Sequence, residues 1–550
     1  MHQVAKMDTD DLFRRLEQLN EVGAALSKER DINRLLENIL VAAKNITHAD
    51  GGTLYRMTED CKHLRFEIMR TDTLGIALGG TSGNPITLPD LPLHNEKGEP
   101  NNAMVAAYAA INDKTVNIAD AYTEAGFDFS GTRKFDAGTG YRSQSFLTVP
   151  MKNHENEIIG VLQLINSVAA GTKKVGAFSA SDQRLAESLA SQAAIALTNR
   201  LLISQLEALF ESFINLINLA IDEKSPYTGG HCQRVPALTM MLAEAVNDTV
   251  EGPLADFRMS DKDRYELKIA GLLHDCGKVT TPVHVVDKAT KLQTIFDRVH
   301  VIDTRFEVLK RDVQIATYRQ ILESRVAKDS AHEQMLWSEC EKTLIKLDEE
   351  REFLRRCNIG SETMRPDDQQ RVRDIGTKRK WRNVEAVEAN FLSAEEIENL
   401  TIRSGTLTGA ERETINHHIV ATIKMLEQLP WPNHLKNVTE YAGGHHERMD
   451  GKGYPKGLTR DQMSVQARIM GIADIFEALT ARDRPYKQGM KLSQALGILR
   501  KFSDGGHIDP DLFQVFIEKK IYQKYAELFL NPHQIDEIDE AGILGNVLTM

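Results

Sequence analysis

The chain has 550 residues, 41% of them hydrophobic and 27% charged, as in ordinary globular proteins of two to four domains. Its net charge of −12 argues against a general binder of nucleic-acid polymers or anionic membranes. Five scattered cysteines without a CxxC pair are typical of reduced thiols in a cytoplasmic protein. The polar, acidic start does not resemble a signal peptide, and no run of ~18 apolar residues predicts a membrane span.

The N-terminal region predicts a mixed helix and sheet domain. Residues 11–47 have the apolar spacing of a helix. Residues 51–166 hold short alternating runs, such as GTLYRM and SFLTVPM, separated by Gly, Pro, Asn and Asp, which indicates strands and loops. The last strand is predicted at 158–166. We place this domain at residues 15–180.

A long helix is predicted over residues 181–222, between two halves of different composition. Part of it carries apolar residues at 4-3-4-3 spacing, which is the seam of a coiled coil. One interpretation is a helix packed on its own domain. We favour a parallel homodimer helix that carries a signal. The seam residues are Leu202, Leu206, Leu209, Phe213 and Leu216.

The second half, residues 223–540, is predicted to be almost entirely helical. Residues 295–400 are rich in Glu, Lys and Arg and poor in glycine, which indicates an inserted helical hairpin. Its second arm is predicted at 331–357, and MRPDDQQ is interpreted as a turn. The alternative is a solvated, charged helix pair without activity of its own. The first arm repeats apolar residues at 3-4-3-4 spacing: Val299, Ile302, Phe306, Leu309 and Val313.

Metal-ligand residues begin with the sequence LLHDCGK. His274 and Asp275 follow an apolar run, so this polar pair is predicted to end a buried stretch and to need a partner or a metal. Because residues i and i+4 share a helix face, Lys278 could reach an anion held by a metal at His274. A single His-Asp pair is weak evidence by itself.

Further imidazole and carboxylate residues complete the pattern. Such donors without thiolates suit iron, manganese or zinc. Seven ligands exceed the needs of one ion and fit two ions that share a carboxylate. Two ions ~3.5–4 Å apart are the usual device for in-line displacement at phosphorus. The predicted ligands are His231, His274, Asp275, His418, His445, His446 and Asp474.

The motifs HDCGK, HHERMDGKGYP and ADIFEALTARDRPYK, taken in order, resemble the HD-GYP phosphodiesterases, a helical subgroup of the HD superfamily. The resemblance covers about residues 223–290 and 400–540. It implies an all-α fold and hydrolysis of a bacterial cyclic dinucleotide, chiefly cyclic di-GMP, at a site of two or three metals. Iron is the first choice of metal and manganese the second.

By this resemblance the seven ligands keep their roles, and His418 is preferred over its neighbour His417. Asp275 and Lys278 would be catalytic, with Lys278 on a phosphate oxygen. Some members bind a third metal through a Glu at the position of Tyr227, so two metals are expected here. The substrate contacts would come from Lys278, Gly451, Gly453, Tyr454, Pro455, Arg484 and Lys487.

The first half resembles a GAF domain over about residues 20–200, which implies a central antiparallel sheet, helices and a small-molecule pocket. The stretch IIGVLQLINS…AFSASDQRLAESLASQAAIALTNR carries the resemblance. Cyclic-nucleotide-binding members have an Asn-Lys…Phe-x-x-x-Asp-Glu motif, and two of its residues differ here, so the ligand stays open. Dimerisation without a ligand is the alternative. The motif positions are Asn166, Ser167, Phe178, Asp182 and Gln183.

The predicted architecture is therefore an α/β GAF domain joined by a long helix to an all-α HD-GYP domain with a helical insertion. The favoured function is a GAF-regulated cyclic-dinucleotide phosphodiesterase that makes linear pGpG, GMP or both. One alternative is a signalling protein that binds the dinucleotide without turnover. Others are a phosphodiesterase specific for 3′,3′-cyclic GMP-AMP and a different HD-fold enzyme.

Overall fold

A computed structural model describes residues 2–168, 174–224, 230–324, 330–360, 363–383, 385–481 and 489–545. The chain divides into two compact units, the first ending at Phe210 and the second beginning at Glu211. Among the described residues, no helix has both the length and the apolar character that a membrane span requires.

The first unit is built on one antiparallel sheet in the order β3-β2-β1-β7-β6-β5, with β4 beside β2 and β8 beside β7. Its strands are β1 Ala49–Met57, β2 His63–Thr71, β3 Ile76–Gly79, β4 Leu91–Pro92, β5 Val116–Ile118, β6 Phe146–Lys152, β7 Ile158–Val168 and β8 Val175–Gly176. Its helices are α1 His2–Leu26, α2 Ile32–Thr47, α3 Val105–Asn112, α4 Ser130–Thr139 and most of α5 Ala180–Lys224.

The helical prediction for 11–47 is corrected to two helices, because α1 ends at Leu26 and Asp31 caps the start of α2. The Asp31 side chain accepts a hydrogen bond from the Arg34 amide, which satisfies one of the free N–H groups of a helix start. One face of the sheet packs on α1, α2 and α5, and the buried core there includes Leu36, Leu162 and Leu189.

Two residues of the altered GAF motif hold the fold together. The Asn166 side chain accepts hydrogen bonds from the amides of Gln144 and Ser145, at 2.7 and 3.2 Å, so it joins the end of β7 to the start of β6. Asp182, in the first turn of α5, pairs with Arg15 of α1 at 2.8 Å. Both roles are structural and leave the ligand of this domain unassigned.

The long connecting helix is present as α5, one continuous helix of 45 residues. Its last residue, Lys224, donates hydrogen bonds to the carbonyls of Lys278, at 3.3 Å, and Val279. The end of α5 therefore contacts the 3₁₀ helix Cys276–Thr280, which directly follows Asp275.

The second unit is largely helical. The core helix α6 packs against α7, α15, α17 and α18. Its bundle helices are α6 His231–Asn247, α7 Asp261–Leu273, α8 Val283–Val286, α13 Gly409–Leu426, α14 Val438–Gly443, α15 Val465–Thr480, α16 Leu492–Asp504, α17 Pro510–Glu518, α18 Ile521–Phe529 and α19 Glu540–Leu544. The insertion contributes α9 Val299–Ser324, α10 Ser330–Asn358, α11 Pro366–Lys378, β9 Lys380–Arg382, β10 Glu388–Asn390 and α12 Ala394–Leu400.

The insertion is a helical hairpin, as predicted, with its own core around Ile302, Phe306 and Leu347. The prediction of a turn at MRPDDQQ is wrong, because Pro366 is the first residue of α11. Proline is favoured at a first helical position, where its missing N–H and fixed φ cost nothing. The strand pair β9–β10 also departs from the prediction of an almost entirely helical half.

Two buried lysines fix the base of the hairpin, and the first of them joins it to the bundle. Lys288 contacts Glu411 of α13 at 2.7 Å and the Asn399 side chain at 2.7 Å. Lys291 donates to the Ile402 carbonyl at 2.7 Å, and its own amide donates to the Asn358 carbonyl. The insertion thus leaves and rejoins the chain beside the helix that carries His418.

Candidate metal centre

The seven predicted ligands come from five places in the second unit. His231 begins α6, His274 and Asp275 follow α7, and His418 lies in α13. The pair His445–His446 follows α14, and Asp474 lies in α15. Six of the seven form two groups whose ligand atoms lie within 4.8 Å of one another: His231, His274 and Asp275, and His418, His445 and His446.

Asp275 lies between the two groups. Its Oδ2 is 3.0 Å from Nε2 of His231 and 3.3 Å from Nε2 of His274. Its Oδ1 is 3.2 Å from Nε2 of His418. The two oxygens of one carboxylate therefore face different histidine groups, which is the arrangement of a bridging ligand. Asp474 adds an oxygen 3.4 Å from Nε2 of His231.

A glycine permits this approach. A Cβ on Gly277 would lie 2.0 Å from the His418 carbonyl, so only glycine lets the 3₁₀ helix after Asp275 pack on α13. The Gly277 amide also donates to the Thr422 hydroxyl of α13 at 2.9 Å. Gly277, the glycine of HDCGK, thus allows Asp275 to lie close to His418.

Three histidines share one orientation. Each Nδ1 donates a hydrogen bond to the backbone carbonyl three residues earlier, which fixes the tautomer and leaves Nε2 unprotonated toward the centre. The distances are 2.7 Å for His274 and 2.6 Å for His445. The acceptors are the carbonyls of Gly271 for His274, Ile415 for His418 and Ala442 for His445.

The donor set fits metal ions. Nε2 of His418 and Nε2 of His445 are buried, and neither atom has a hydrogen-bond partner within the part of the chain that the structure describes. A buried polar atom without a partner is costly, and a metal ion would satisfy both lone pairs. Cys232 and Cys276 lie next to ligands, but burial raises the pKa of these thiols to about 12 and about 11. They stay protonated, so the available donors are imidazole and carboxylate.

Glu477 is a candidate positioning residue that sequence reasoning missed. It is only 1% exposed, and its carboxylate accepts from Nδ1 of His231 at 2.6 Å and from Nε of Arg234 at 2.7 Å. It orients His231 in the way that backbone carbonyls orient His274, His418 and His445. The available clue was its position three residues after Asp474 in an apolar helix, where both side chains share a face.

Burial favours neutral imidazoles at His445 and His446, and the local charges favour ionised carboxylates at Asp275 and Asp474. Burial lowers the pKa of His445 well below its usual range and that of His446 to about 4. Burial works against the charge of both carboxylates. Lys278 and the neighbouring histidines nevertheless hold the pKa of Asp275 well below normal, and His231, His445 and His446 do the same for Asp474. These are the protonation states in which both residue types bind metals.

The carboxylates of Asp275 and Asp474 have positively charged neighbours. Burial would lower the pKa of His231, but Glu477 and the two aspartates raise it well above normal. The Nζ of Lys278 lies 2.5 Å from Oδ2 of Asp275, whose charge raises the pKa of the lysine against the effect of burial. Lys278 is thus a cation at the centre, and its contact with a phosphate oxygen stays a prediction.

The loop at Gly451–Pro455 is fixed against the ligands. A Cβ on Gly453 would lie 2.4 Å from Cα of Glu447, and Gly451 has a φ of +74°, so both glycines are required by the backbone. The buried Glu447 carboxylate accepts from the amides of Lys456 and Leu458 at 2.7 and 2.8 Å.

The Gly451–Pro455 loop also contacts His446, one of the predicted metal ligands. The Tyr454 ring stacks on His446, with centroids 4.9 Å apart and an interplanar angle of 19°. The Tyr454 amide donates to the His446 carbonyl at 3.3 Å. The glycines and the tyrosine of HHERMDGKGYP therefore position its own second histidine, and Pro455 follows beside them.

Other predicted positions fall elsewhere. His417 is exposed and lines a groove of about 600 Å³ with Thr280 and Met425, whereas its neighbour His418 is buried at the centre. The structure therefore brings His418, rather than His417, to the other ligands. Arg484, Lys487 and Tyr227 lie outside the described residues.

Comparison with known families gives each unit a name. A GAF domain model matches residues 31–197, and two HD domain models match residues 228–347 and 392–512. The chain joins a GAF domain to an HD domain. This confirms the fold class predicted from the sequence, and the predicted limits of the individual domains stay predictions.

Curated relatives match this chain over short stretches. A 3′3′-cGAMP-specific phosphodiesterase from Vibrio cholerae is 42% identical over 91 residues, which are 16% of this chain and 20% of the relative. A cyclic di-GMP phosphodiesterase from Pseudomonas aeruginosa is 34% identical over 116 residues, 21% of this chain and 27% of the relative. The chain thus spans only 20% and 27% of the length of these relatives.

Solved structures that are similar to part of this chain include GAF domains. One is the GAF domain of a phosphoenolpyruvate-protein phosphotransferase from Acinetobacter, with 14% identity and a TM-score of 0.24, which covers 34% of this chain and 93% of that structure.

Proposed function

We propose that the protein is a metal-dependent phosphodiesterase that hydrolyses a bacterial cyclic dinucleotide, in the first place cyclic di-GMP. The observation that carries this proposal is the Asp275 carboxylate, which presents one oxygen to each of two buried histidine groups. A shared carboxylate between two imidazole clusters fits a two-metal centre, and such centres serve displacement at phosphorus. The names of the relatives support the substrate class.

The centre would hold two divalent ions, with iron as first choice and manganese as second. His231, His274 and Asp474 would bind one ion and His418, His445 and His446 the other, with Asp275 shared between them; the two close groups of ligand atoms support this division. When bound, the ions would polarise a phosphoryl oxygen and supply a water-derived nucleophile.

The residues of the chain have separate tasks in this proposal. Asp275 holds both halves of the centre in register. Lys278, kept cationic beside Asp275, offsets charge on a phosphate oxygen as it develops during cleavage. The Gly451–Pro455 loop borders the substrate and keeps His446 in place through Tyr454. Cleavage of one phosphodiester opens the ring to a linear dinucleotide, and a second cleavage gives mononucleotides.

The GAF domain is proposed to regulate this activity through a small-molecule ligand. We also propose that the protein acts as a homodimer in the cytoplasm. All five cysteines are free thiols, which suits a reducing compartment. A protein that binds the dinucleotide without turnover is less favoured, because the complete ligand set is what catalysis requires.

The test is product chromatography. The protein is purified without oxygen, loaded with Fe(II) or Mn(II), and incubated with cyclic di-GMP and with 3′,3′-cyclic GMP-AMP. Linear dinucleotide or mononucleotide is expected from the first. Asp275→Asn should remove product formation, with His417→Ala as the matched control that keeps it. No product from either dinucleotide, with two ions bound per chain, would overturn the proposal.

A further inference from the structure

Arg412 is an arginine near the metal centre that lacks a carboxylate partner. It lies near the start of α13, six residues before His418, and it is exposed. Within the described part of the chain, its guanidinium makes one long hydrogen bond, to the Ser404 carbonyl at 3.5 Å, and no carboxylate oxygen lies within 4.0 Å of it. Many surface arginines fit this description, so the surroundings of Arg412 decide what it can bind.

The face of α13 that carries Arg412 is turned toward the loop that borders the substrate. Arg412 and Ile423 are eleven residues apart, which is about three turns of helix, so they share a face. A Cβ on Gly443 would lie 2.7 Å from the side chain of Ile423, so this face packs on the end of α14. The chain continues from there through His445 into the Gly451–Pro455 loop.

Tyr454 of this loop lies within reach of the Arg412 charge. Its ring stacks on His446. Burial and the carboxylates of Asp474 and Asp275 raise the pKa of Tyr454, whereas the guanidinium of Arg412 lowers it. The Tyr454 hydroxyl therefore lies near the two carboxylates of the centre and also near Arg412.

The first turn of α13 anchors the backbone at Arg412. Thr408 caps the helix and accepts a hydrogen bond from the Glu411 amide. The Glu411 carboxylate accepts from the buried Lys288 at 2.7 Å. Both contacts fix the residue next to Arg412, whereas the side chain of Arg412 is exposed and can adjust to a ligand.

Two other cations near the centre are already engaged. Arg448 is paired with Asp450 through two hydrogen bonds of 3.0 and 2.8 Å, and Lys278 lies 2.5 Å from Asp275. A cyclic dinucleotide has two phosphodiester groups, each with one negative charge, and only one of them reacts in a given cleavage. The other phosphate needs a cation of its own, and Arg412 is not engaged by a carboxylate.

We propose that Arg412 binds the second phosphate of the cyclic dinucleotide while the first is cleaved at the metal centre. The planar guanidinium matches two phosphate oxygens and keeps its charge at neutral pH. This contact makes the site favour a substrate with two phosphates over an isolated phosphodiester. The inference rests on the proposed function and deepens it, because Arg412 is a substrate contact outside the motifs HDCGK and HHERMDGKGYP.

The test compares two substrates of the Mn(II)-loaded protein. Cyclic di-GMP has a second phosphate, whereas bis(p-nitrophenyl) phosphate is a single phosphodiester that offers none. In Arg412→Ala, the KM for cyclic di-GMP should rise about 10- to 100-fold, as expected when a hydrogen bond to a charged group is lost. The kcat should hardly change, because a phosphate that does not react is bound equally before and during cleavage. Hydrolysis of bis(p-nitrophenyl) phosphate should be unchanged.

Lys424→Ala is the matched control. Lys424 is exposed on the same helix, twelve residues or about 18 Å beyond Arg412, and its loss removes the same charge. This variant should keep the wild-type KM for both substrates. Arg412→Lys should have an intermediate KM for cyclic di-GMP, because it keeps the charge but loses the planar fork. Added salt should raise the KM of the wild type more steeply than that of Arg412→Ala.

Two outcomes would overturn the assignment of Arg412 alone. One is an unchanged KM for cyclic di-GMP in Arg412→Ala beside an active wild type. The other is an equal loss with both substrates, which would mean that Arg412 supports the centre rather than the second phosphate. If the wild type cleaves bis(p-nitrophenyl) phosphate but neither cyclic dinucleotide, the proposed substrate is wrong, and the assignment of Arg412 falls with it.

Discussion

Replacing Glu477 with glutamine tests how the centre is supported. The carboxylate accepts from both His231 and Arg234, with contacts of 2.6 and 2.7 Å. The glutamine side chain would keep the shape of the glutamate but has one accepting oxygen, so its NH2 group would face one of the two donors. His231 would lose its fixed orientation, and the metal ion that it binds would be held less tightly.

The expected losses of metal affinity and of fold stability follow from these contacts. Loss of a group that orients a metal ligand typically weakens metal affinity about 10- to 100-fold. That change in affinity equals about 1.4 to 2.7 kcal/mol of metal-linked stabilisation when the metal is in excess. The metal-free fold should also lose about 1 to 3 kcal/mol, because Arg234 then donates to a neutral amide at best and no longer to a buried carboxylate.

The assay measures unfolding and metal affinity separately. Mn(II) affinity is obtained by competition with a chelator, and stability by denaturant unfolding with and without metal. Glu396→Gln is the matched control, since Glu396 is also buried and pairs with Arg305 at 2.7 and 3.0 Å in the insertion. Both variants should lose fold stability, whereas only Glu477→Gln should lose metal affinity. Wild-type Mn(II) affinity in Glu477→Gln would refute the reasoning.

Three further outcomes are expected. His418→Ala should lower turnover by more than about 100-fold, because it removes a predicted metal ligand rather than a residue that orients one. His417 is exposed, so His417→Ala should keep turnover and change the free energy of unfolding by less than about 0.5 kcal/mol. An equal loss of turnover in both variants would contradict the ligand assignment. Gly453→Ala should destabilise the fold by about 1 to 3 kcal/mol in denaturant unfolding, while Gly497→Ala, with open space around its Cβ, should stabilise it by up to about 1 kcal/mol. Lys224→Met should lower kcat by the equivalent of about 0.5 to 2 kcal/mol at unchanged metal content, and an unchanged kcat would mean that its contact is only structural.

Much of the centre was predictable because its chemistry is concentrated in a few residue types. Histidines and aspartates next to apolar helical runs, such as Asp275 after LLH and Asp474 in RIMGIADIF, stand out in the sequence. The choice of His418 over His417 could not be derived from helix spacing alone. It depends on which side of α13 faces the 3₁₀ helix at Gly277, and that is a tertiary contact.

Other features could not be read because they depend on packing over long sequence separations. Glu477 and His231 are 246 residues apart. A glutamate in a helix is usually solvated, so the position of Glu477 three residues after Asp474 was not enough to distinguish it from a surface residue. The start of α11 at Pro366 was missed because its local sequence fits two different structures. Proline followed by two aspartates is common in turns, and it is also a favoured first turn of a helix.

The continuity of α5 has a consequence for how sensor domains could be exchanged. The helix runs without a break from Ala180 to Lys224, whose side chain contacts the turn after Asp275. A helix advances about 100° per residue, so removing seven residues turns the remainder by only about 20°. Removing five would turn Lys224 by about 140° around the axis of α5. A chimaera in which a foreign sensor domain is joined to α5 should therefore work when the junction is shifted by a multiple of seven residues, and it should fail at intermediate shifts.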